Sequence, residues 1–599
     1  MSVWRAAWAA LAITWRASRW ATGWTLVLTV LTGAVPAVSA WLGKLLFDEL
    51  ARGSAAASDR VVLLAAATAT ALAMATAAGL ASSYCGSIIR ARAVIEAEDR
   101  LTGAVGALPG LRLLEDPAFL DRVRLAELGV HEAPPAVLAF GQEAARAVIA
   151  LLSFGGAVLL VWPPMALLLA SSLVPAAVSH LALSRLRVRE NEAITATQRQ
   201  RFLFRSLSSD TRAAKEIRLF GLAGLFRSRM LAAVRTAADS ECAVHRTSAR
   251  TGIGLTMVSA VVSGLALVIT GTRAVRGELS IGDVTLFTAA VAGIQSTVGA
   301  SLTQLGRTSG SLRLFEHYLA VVGTPSDLPT GSKPVPPLRV GIEVRDVWFR
   351  YDEDGPPVLR GVSLTIPCGA AVGVVGVNGT GKSTLVKLLC RFYDPDQGRI
   401  LWDGVDIREF DIAALRRRLG ATFQDFTSYD LTAADNVGIG DVERLTDLDA
   451  IRSAARLAEV DDTLAGLPRG YETLLSRAFL DADEHAGTAL SGGQWQRVAL
   501  ARALLRDRAD LLILDEPSSG LDADAEVRIH QALRTHRAGR TSLLISHRLS
   551  ALREADHIVV LEAGEVIERG THDVLMAARG EYARLFGLQA KGYALAEAR

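Results

Sequence analysis

The stretch GVNGTGKST, Gly376 to Thr384, decides the fold of the second half of the chain. It lies between an apolar run, AAVGVVG, and a helix-favouring run, the setting that the pattern G-x-x-x-x-G-K-[ST] requires. Its glycines let successive backbone N–H groups turn toward phosphate oxygens. Lys382 would add positive charge beside the β and γ phosphates, and the Ser383 hydroxyl would ligate Mg²⁺. The stretch therefore predicts a nucleotide-binding α/β domain.

Two further apolar runs end in residues suited to hydrolysis. LLILDEP, Leu511 to Pro517, would deliver Asp515 to the cation and Glu516 to the water that faces the γ-phosphate. LLISHRL places His547 at the end of another strand, where it could contact the γ-phosphate or orient the water. Taken alone, two acids or one histidine after a strand would be ordinary strand ends. After a phosphate loop, they predict a hydrolysis site.

A second glycine-rich stretch, LSGGQWQR at Leu490–Arg497, precedes the helix-forming run VALARALL. Exposed N–H groups at a helix N-terminus favour an anion. No lysine stands beside this stretch, however, and a more complete phosphate loop lies more than a hundred residues earlier, so the residues alone leave open which phosphate this second site would hold.

The second half alternates β-branched runs with helical stretches, which predicts a largely parallel sheet. The first half instead carries six apolar runs close to the length of about twenty residues that a membrane span needs. They lie near Gly23–Leu42, Val61–Ser82, Arg146–Trp162, Met165–Leu183, Ile253–Thr270 and Val284–Leu302. Helices of a soluble bundle are the alternative. A Pro/Gly/Ser-rich segment, Gly323–Leu338, reads as the linker between the halves.

Arginines orient the spans. They concentrate at one set of ends, which predicts that both termini are cytoplasmic, and Arg273 and Arg276 are the exceptions. The arginines at the cytoplasmic ends are Arg16, Arg19, Arg90, Arg92, Arg185, Arg187, Arg189, Arg250, Arg307 and Arg313. The basic, tryptophan-rich N-terminus predicts an amphipathic helix on the inner membrane surface rather than a cleaved signal peptide.

Composition excludes some classes. The mean hydropathy of +0.29 agrees with a membrane protein. A net charge of +2 argues against a nucleic-acid surface. Four cysteines without metal or disulfide spacing predict ordinary buried thiols. They are Cys85, Cys242, Cys368 and Cys390.

Two long connections on the cytoplasmic side predict helices that continue beyond the membrane. Within them, LLEDPAFLDRVR (Leu113–Arg124) and SSDTRAAKEIRLFGL (Ser208–Leu222) each place a helix-starting cluster before a short amphipathic turn. These segments could dock on a cytoplasmic partner or be solvated helix bends.

These motifs together resemble the ATP-binding cassette (ABC) family over Val340–Phe586. The resemblance implies that Tyr351 stacks on adenine, that Gln424 senses Mg²⁺, and that SSGLD, Ser518 to Asp522, crosses to the opposing subunit. It makes LSGGQ the family signature, which would meet the γ-phosphate of ATP held by the other chain. The resemblance implies Mg²⁺ ligands at Ser383, Gln424 and Asp515, and catalytic roles for Glu516, His547 and Lys382. The implied nucleotide ligands are Tyr351, Gly376, Asn378, Gly379, Thr380, Gly381, Lys382, Ser383, Thr384, Gln424, Ser491, Gly493 and Gln494.

The first half resembles that of ABC exporters, including peptide and lantibiotic exporters, with six spans and two coupling helices at the docking segments proposed above. An acidic-glycine segment that often precedes the signature is replaced here by DADEHAGTALSGGQ, in which only Gly487 aligns. The predicted fold is an α-helical membrane domain (1–322), a linker (323–338) and an α/β P-loop ATPase domain (339–590).

The resemblance implies a half-transporter of the cell membrane that pairs, as a homodimer more readily than a heterodimer, and exports a peptide, lipid or amphipathic small molecule using ATP. It also implies that the chain does not cleave a leader peptide. The alternatives are a soluble ABC ATPase acting on DNA or ribosomes, a membrane-bound regulatory ATPase, and an importer. Small polar residues of the spans could face a cargo cavity or pack helices. They are Thr68, Thr70, Ser153, Ser263, Gln295 and Gln304.

Overall fold

The structure, a computed structural model, describes residues 3–52, 58–167, 169–171, 203–204, 207, 213–476, 479, 487–517 and 523–597. The chain divides into two compact units. The first contains Met1–Ala107 and Pro117–Thr324, and the second contains Leu108–Asp116 and Pro325–Arg599. A nine-residue segment of the first half of the sequence therefore belongs to the second unit.

The first unit is helical. Its helices are α1 (Val3–Ala17), α2 (Arg19–Arg52), α3 (Ser58–Gly106), α4 (Pro117–Val161), α5 (Ala214–Leu219), α6 (Ala223–Val275) and α7 (Ile281–Val322). Within the described residues, five segments are long and apolar enough to cross a membrane: α2, α3, α4, Met257–Val275 of α6, and α7. The predicted fourth span, Met165–Leu183, lies mostly outside the described residues, so a count of six is not confirmed.

The ends of these helices follow local chemistry. Helix α4 ends at Val161, shortly before Pro163 and Pro164. Helical structure resumes at Pro163, because the first residue of a helix does not need its N–H for a hydrogen bond within the helix. Helix α7 begins with a capping box in which Ser280 and Asp283 exchange side-chain hydrogen bonds with each other's backbone. Asp283 also forms an ion pair with Lys44 at 2.6 Å.

Small residues let the apolar helices approach closely. Phe154, Phe287 and Ile294 pack with Ala150, Ala266 and Ala290 in one buried cluster. In α1, Ala6, Ala10 and Ile13 are buried on one face, while Trp4, Trp8 and Trp15 are exposed on the other. Helix α1 is therefore amphipathic.

The second unit contains two sheets. The four-stranded sheet has the order β2-β1-β4-β5, with antiparallel pairs, and contains β1 (Gly341–Phe349), β2 (Leu359–Pro367), β4 (Gln397–Trp402) and β5 (Val405–Asp406). The six-stranded sheet has the order β10-β9-β3-β8-β7-β6 and is parallel except for β10. It contains β3 (Ala371–Val375), β6 (Leu419–Thr422), β7 (Leu511–Asp515), β8 (Thr541–Ile545), β9 (His557–Glu562) and β10 (Glu565–Gly570).

Helices cover the parallel sheet on both faces. In chain order, the helices among the described residues of this unit are α8 (Lys382–Leu389), α9 (Ile412–Arg417), α10 (Ala433–Gly438), α11 (Leu448–Leu457), α12 (Asp461–Ala465), α13 (Gly492–Leu505), α14 (Ala523–Arg537), α15 (His572–Ala578) and α16 (Glu581–Glu597). Strand β7 shows the two-sided burial. Leu511 and Ile513 belong to one hydrophobic cluster, and Leu512 and Leu514 to the other.

The expectation that all four cysteines are buried is wrong for two of them. Cys85 and Cys390 are buried, but Cys242 and Cys368 are exposed, and all four are free. Cys368 follows the last residue of β2 in a turn, where its thiol donates a hydrogen bond to the carbonyl of Leu338 at 3.3 Å. A turn position lies outside the packed layers, and this explains the exposure of Cys368.

Candidate functional site

The predicted site residues follow three neighbouring strands at the edge where those strands end. Strands β3, β8 and β7 are adjacent and parallel, and Asp515 at the end of β7 pairs with Ile545 at the end of β8. In an open α/β sheet, ligands bind at the carboxyl ends of the strands. The topology therefore brings together the phosphate loop after β3, Glu516 after β7 and His547 after β8.

The phosphate loop has the backbone geometry that its glycines predict. Gly379 and Gly381 have φ values of +85° and +98°. A side chain at Gly381 would meet Leu359 Cδ2 at 2.5 Å, and one at Gly376 would meet the carbonyl oxygen of Leu561 at 2.3 Å. Helix α8 begins directly after Gly381 and has no side-chain cap. Its first N–H groups are thus suited to a phosphate.

Lys382 folds back over this loop. Its Nζ donates hydrogen bonds to the carbonyl oxygens of Gly376 at 2.7 Å and Val377 at 2.9 Å. Burial lowers the pKa of Lys382, although the nearby charges of Glu516 and Asp515 oppose that shift. The ammonium group is therefore held inside the loop without a direct ion pair to a carboxylate among the described residues.

Asp515 has a raised pKa at this site. Burial, and next the charge of Glu516, raise its pKa to about 6, while a hydrogen bond from Ser383 and the charge of Lys382 lower it. A divalent cation would relieve this repulsion between carboxylates. No cluster of three His, Cys, Asp or Glu side chains that could hold a metal occurs in the described part of the chain. The donor set fits Mg²⁺, which commonly binds through one or two protein groups, phosphates and water.

Glu516 is fixed at both its side chain and its backbone. Its Oε1 lies 3.0 Å from Nδ1 of His547, and its Oε2 accepts a hydrogen bond from Nε2 of Gln424 at 3.1 Å. Its N–H donates to Ile545 O at 2.8 Å, and its carbonyl accepts from Nε2 of Gln496 at 2.8 Å. The carboxylate is buried, and the residue has a φ of +52°, a strained value for a non-glycine residue.

Sequence reasoning missed Gln496. It lies two residues beyond the signature glutamine and is buried. A buried glutamine in a helix needs hydrogen-bond partners. The glutamine amide on the apolar face of QWQRVALA was therefore the sequence feature that could have indicated a buried contact at Gln496. The structure gives it the backbone of Glu516 as a partner.

The residue predicted to stack on adenine lies in an aromatic group. The hydroxyl of Tyr351 is 3.1 Å from Oγ1 of Thr384 in the phosphate loop. The Tyr351 ring meets Tyr393 edge to face at 5.5 Å between centroids, and Nζ of Lys387 lies 5.1 Å from the Tyr351 ring centroid. Asn378 and Gly379 are exposed, whereas Thr380 is buried and donates its hydroxyl to Val377 O at 2.9 Å.

The signature stretch forms the start of α13. Ser491 is the N-cap residue, and its side chain accepts from Gln494 N at 3.3 Å while Ser491 N donates to Gln494 Oε1 at 2.7 Å. Gly492 and Gly493 form the first helical turn, and a side chain at Gly492 would meet nothing within 4 Å. This N-terminus is open on one side.

The segment Leu108–Asp116, which lies between α3 and α4 in the sequence, packs within the second unit. The N–H of Gly110 donates to Asp327 Oδ1 at 3.0 Å, and that of Leu111 to Phe392 O at 3.1 Å. Its Glu115 joins the aromatic group, since Lys387 Nζ donates to Oε1 at 2.9 Å and the Tyr393 hydroxyl donates to Oε2.

The charges of this contact reinforce each other. Burial alone would raise the pKa of Glu115, but hydrogen bonds from Tyr393 and Lys387 hold that pKa below its ordinary value. Burial alone would lower the pKa of Lys387, but Glu115 holds it above its usual range. The pair is therefore ionised across neutral pH.

Three predicted features fall wholly or partly outside the described residues. They are Ser518–Asp522, residues 480–486 before the signature, and the first part of Ser208–Leu222, whose later part contains the exposed helix α5. Gly487 is described, and a side chain there would meet the carbonyl oxygen of Ser476 at 2.5 Å. Close backbone packing therefore requires glycine at this position.

The first unit has an open cavity of about 410 Å³ between apolar helices. Among the described residues ten line it, including Ser39, Thr68, Phe154 and Gly293, and none of these ten has a charged side chain. Two of the other polar residues singled out in the spans bond to neighbouring helices. Gln295 Nε2 lies 3.2 Å from the hydroxyls of Ser259 and Ser263, and Gln304 bonds the backbone of Ala136.

Sequence comparison relates part of the second unit to a known family. The family profile described as "ABC transporter" matches residues 359–519. An "ATP-dependent lipid A-core flippase" of Methylococcus capsulatus is 40% identical over 335 residues, which cover 55% of this chain and 53% of that protein. The "Cyclolysin secretion/processing ATP-binding protein CyaB" of Bordetella pertussis is 39% identical over 338 residues, which cover 56% and 46%. The chain spans about half the length of the curated relatives it matches.

Structural comparison extends the likeness to nearly the whole chain. The solved structure described as "a bacterial Atm1-family ABC exporter with ATP bound" superposes with a TM-score of 0.76 and 25% sequence identity, covering 94% of this chain and 97% of that one. The apolar helical unit and the α/β unit thus occur together in one exporter fold.

Proposed function

We propose that this chain, which has the fold of an ABC exporter with apolar helices fused to an ATP-binding domain, hydrolyses ATP to drive efflux of an amphipathic molecule across the cell membrane. Both termini would be cytoplasmic, as the arginine distribution predicts. The proposal rests on four side chains that lie near the carboxyl ends of four neighbouring strands. Lys382 follows β3, His547 follows β8, Glu516 follows β7 and Gln424 follows β6.

In the proposed hydrolysis, Glu516 accepts a proton from the water that attacks the γ-phosphorus, and the bond to the ADP oxygen breaks in line. Lys382 and His547 stabilise the charge that develops on the γ-phosphate oxygens. Ser383, Gln424 and Asp515 would hold Mg²⁺, which would neutralise negative charge on the phosphates when bound.

The contacts of Glu516 support its role as the base. A carboxylate held by His547 on one oxygen and by Gln424 on the other cannot rotate freely, so its orientation toward a water is preset. The backbone bonds to Ile545 and Gln496 fix its position further. Gln424 contacts the base and would also be a ligand of the expected cation, so metal occupancy would be linked to the position of Glu516.

The second wall of the nucleotide site would come from another chain. The N-terminus of α13, with Ser491, Gly493 and Gln494, would meet the γ-phosphate of ATP bound to the phosphate loop of a partner. Because the expected catalytic positions hold suitable side chains in this one chain, two copies would supply two complete sites. A homodimer is therefore the proposed assembly.

Coupling would run through Leu108–Asp116. The segment is held by the side chains of the second unit and is followed directly by α4, which begins at Pro117. Through Tyr393 and Lys387, Glu115 lies one side chain away from Tyr351, the expected adenine contact. A change at the nucleotide would reach α4 by this route.

The cargo surface would be uncharged. The cavity between α2, α3, α4 and α7 is lined by apolar and small polar side chains, which suits the hydrocarbon part of a lipid, of an apolar peptide or of an amphipathic small molecule. The relative named as a lipid A-core flippase supports a lipid among these classes.

Purified protein in proteoliposomes tests the proposal. We expect Mg²⁺-dependent ATP hydrolysis that EDTA abolishes, and ATP-dependent movement of a fluorescent phospholipid between leaflets. Hydrolysis without movement of lipid, peptide or drug probes would contradict export, and the absence of hydrolysis would contradict the ATPase assignment.

A further inference from the structure

The segment that carries His547 is held by a side chain from the C-terminal helix α16. Nε2 of Gln589 donates a hydrogen bond to the carbonyl oxygen of His547, and Oε1 of Gln589 accepts one from Leu549 N at 2.9 Å. The carboxamide of Gln589 therefore hydrogen-bonds to the backbone on both sides of Arg548, with its NH2 group as the donor on one side and its oxygen as the acceptor on the other. The sequence motifs gave no indication of this contact.

Helix α16 is anchored firmly enough to present Gln589. Tyr582 is fully buried, and its hydroxyl lies 2.8 Å from Nδ1 of His572. The N–H of Tyr582 donates to Glu568 Oε2 at 3.1 Å, and the ring of Phe586 packs 5.0 Å from that of His572. Gln589 follows Tyr582 by two turns and therefore lies on the same helix face.

The backbone that Gln589 holds determines where the imidazole points. Only one residue, Ser546, separates His547 from the end of β8, and Ser546 Oγ accepts from Arg548 N at 3.0 Å. The imidazole itself is half exposed and meets Glu516. Since the ring is half exposed and Glu516 is the contact given for it among the described residues, the path of residues 546–549 sets its distance from the carboxylate.

We propose that Gln589 is a positioning residue for ATP hydrolysis: its carboxamide holds the backbone at His547 and Leu549 so that the imidazole faces Glu516 and the γ-phosphate. The inference rests on the proposed function, because it concerns the rate of the same reaction. It makes the C-terminal helix a part of the hydrolysis machinery in addition to a cover for the sheet.

The first test compares three variants in lipid by kcat and KM for ATP. Gln589→Ala removes both hydrogen bonds, and we expect kcat to fall about fivefold to tenfold, the effect of one or two modest hydrogen bonds. KM should stay within about twofold, because the adenine and phosphate contacts are elsewhere. Gln589→Glu keeps the size but faces a carbonyl oxygen with a carboxylate, so the same loss is expected. The matched control, Leu588→Ala, changes an exposed neighbour on the same helix and should leave kcat unchanged.

A double-mutant cycle with His547→Ala separates positioning from general support. If Gln589 acts through the imidazole, Gln589→Ala should cause no further loss of single-turnover rate in the His547→Ala protein. An equal further loss, or a fall in melting temperature with an unchanged kcat, would overturn the inference. If the wild-type protein hydrolyses ATP and Gln589→Ala does so at the same rate, the role of Gln589 is overturned and the proposed function stands. If the wild-type protein does not hydrolyse ATP, the proposed function is overturned as well.

Discussion

Glu115 and Lys387 are 272 residues apart in the sequence, yet Lys387 Nζ lies 2.9 Å from Glu115 Oε1. The lysine also lies over the ring of Tyr351, and Tyr393 donates its hydroxyl to the other carboxylate oxygen. A loop from the first half of the sequence is therefore tied to the aromatic group at the nucleotide site by charge and by hydrogen bonds. Charge-assisted hydrogen bonds of this kind are stronger than neutral ones.

Replacing Glu115 should loosen that loop while the nucleotide site stays intact. In Glu115→Gln the ion pair with Lys387 is lost, so we expect the amides of Gly110 and Leu111 to exchange hydrogen about tenfold faster, equivalent to about 1.4 kcal/mol. ATP hydrolysis without cargo should stay within about twofold. Hydrogen-exchange mass spectrometry of residues 108–116 measures the effect.

The matched control for Glu115 is Glu127→Gln, which changes an exposed glutamate of α4. It should leave exchange in residues 108–116 unchanged. If Glu115→Gln exchanges like the wild-type protein, the contact does not hold the loop, and the proposed coupling route loses its basis.

Tyr351 should matter for ATP affinity more than for turnover. Aromatic stacking on a base contributes about 1–3 kcal/mol, so Tyr351→Ala should raise KM for ATP at least fivefold with a small change in kcat. Tyr351→Phe keeps the ring and loses the hydroxyl contacts with Thr384 and Lys387, and its KM should remain close to that of the wild-type protein. Equal KM values for the alanine and wild-type proteins would rule out the stacking role.

Mixed dimers test whether each site is shared between chains. Lys382→Ala disables the phosphate loop, and Gly493→Asp places a negative charge at the signature, where an acidic residue is compatible with a helix N-terminus. Neither homodimer should trap ATP. A dimer of one chain of each kind retains one complete site, and we expect about one trapped nucleotide per mixed dimer. If the mixed dimer traps no more ATP than the two homodimers, which should trap none, the result would contradict a site shared between chains.

Local motifs allowed much of the nucleotide site to be predicted. The positive φ of Gly379 and Gly381 and the start of α8 at Lys382 follow from glycines and a lysine within nine residues. The strands before Glu516 and His547, LLILD and TSLLI, are five residues long and mostly apolar, which is enough to identify them. The roles of these residues in catalysis stay predictions.

Contacts between distant segments could not be predicted in the same way. The bonds of Gln496 to Glu516 and of Gln589 to His547 depend on how helices pack on the sheet, which no spacing in the sequence encodes. The separate antiparallel sheet was also missed, because alternating strands such as β2 resemble the edge strands of a mixed sheet. In the first half, apolar length predicts spans but not their number or their cargo.

The most direct test of the account is the turnover of Glu516→Gln, measured together with ATP binding in lipid. The amide keeps the size of the side chain and one acceptor oxygen but cannot accept the proton of the attacking water. We expect kcat to fall at least 100-fold, the scale of lost general-base catalysis, while ATP stays bound and the paired domains stay closed. Hydrolysis at the wild-type rate in Glu516→Gln would contradict the assignment of this site.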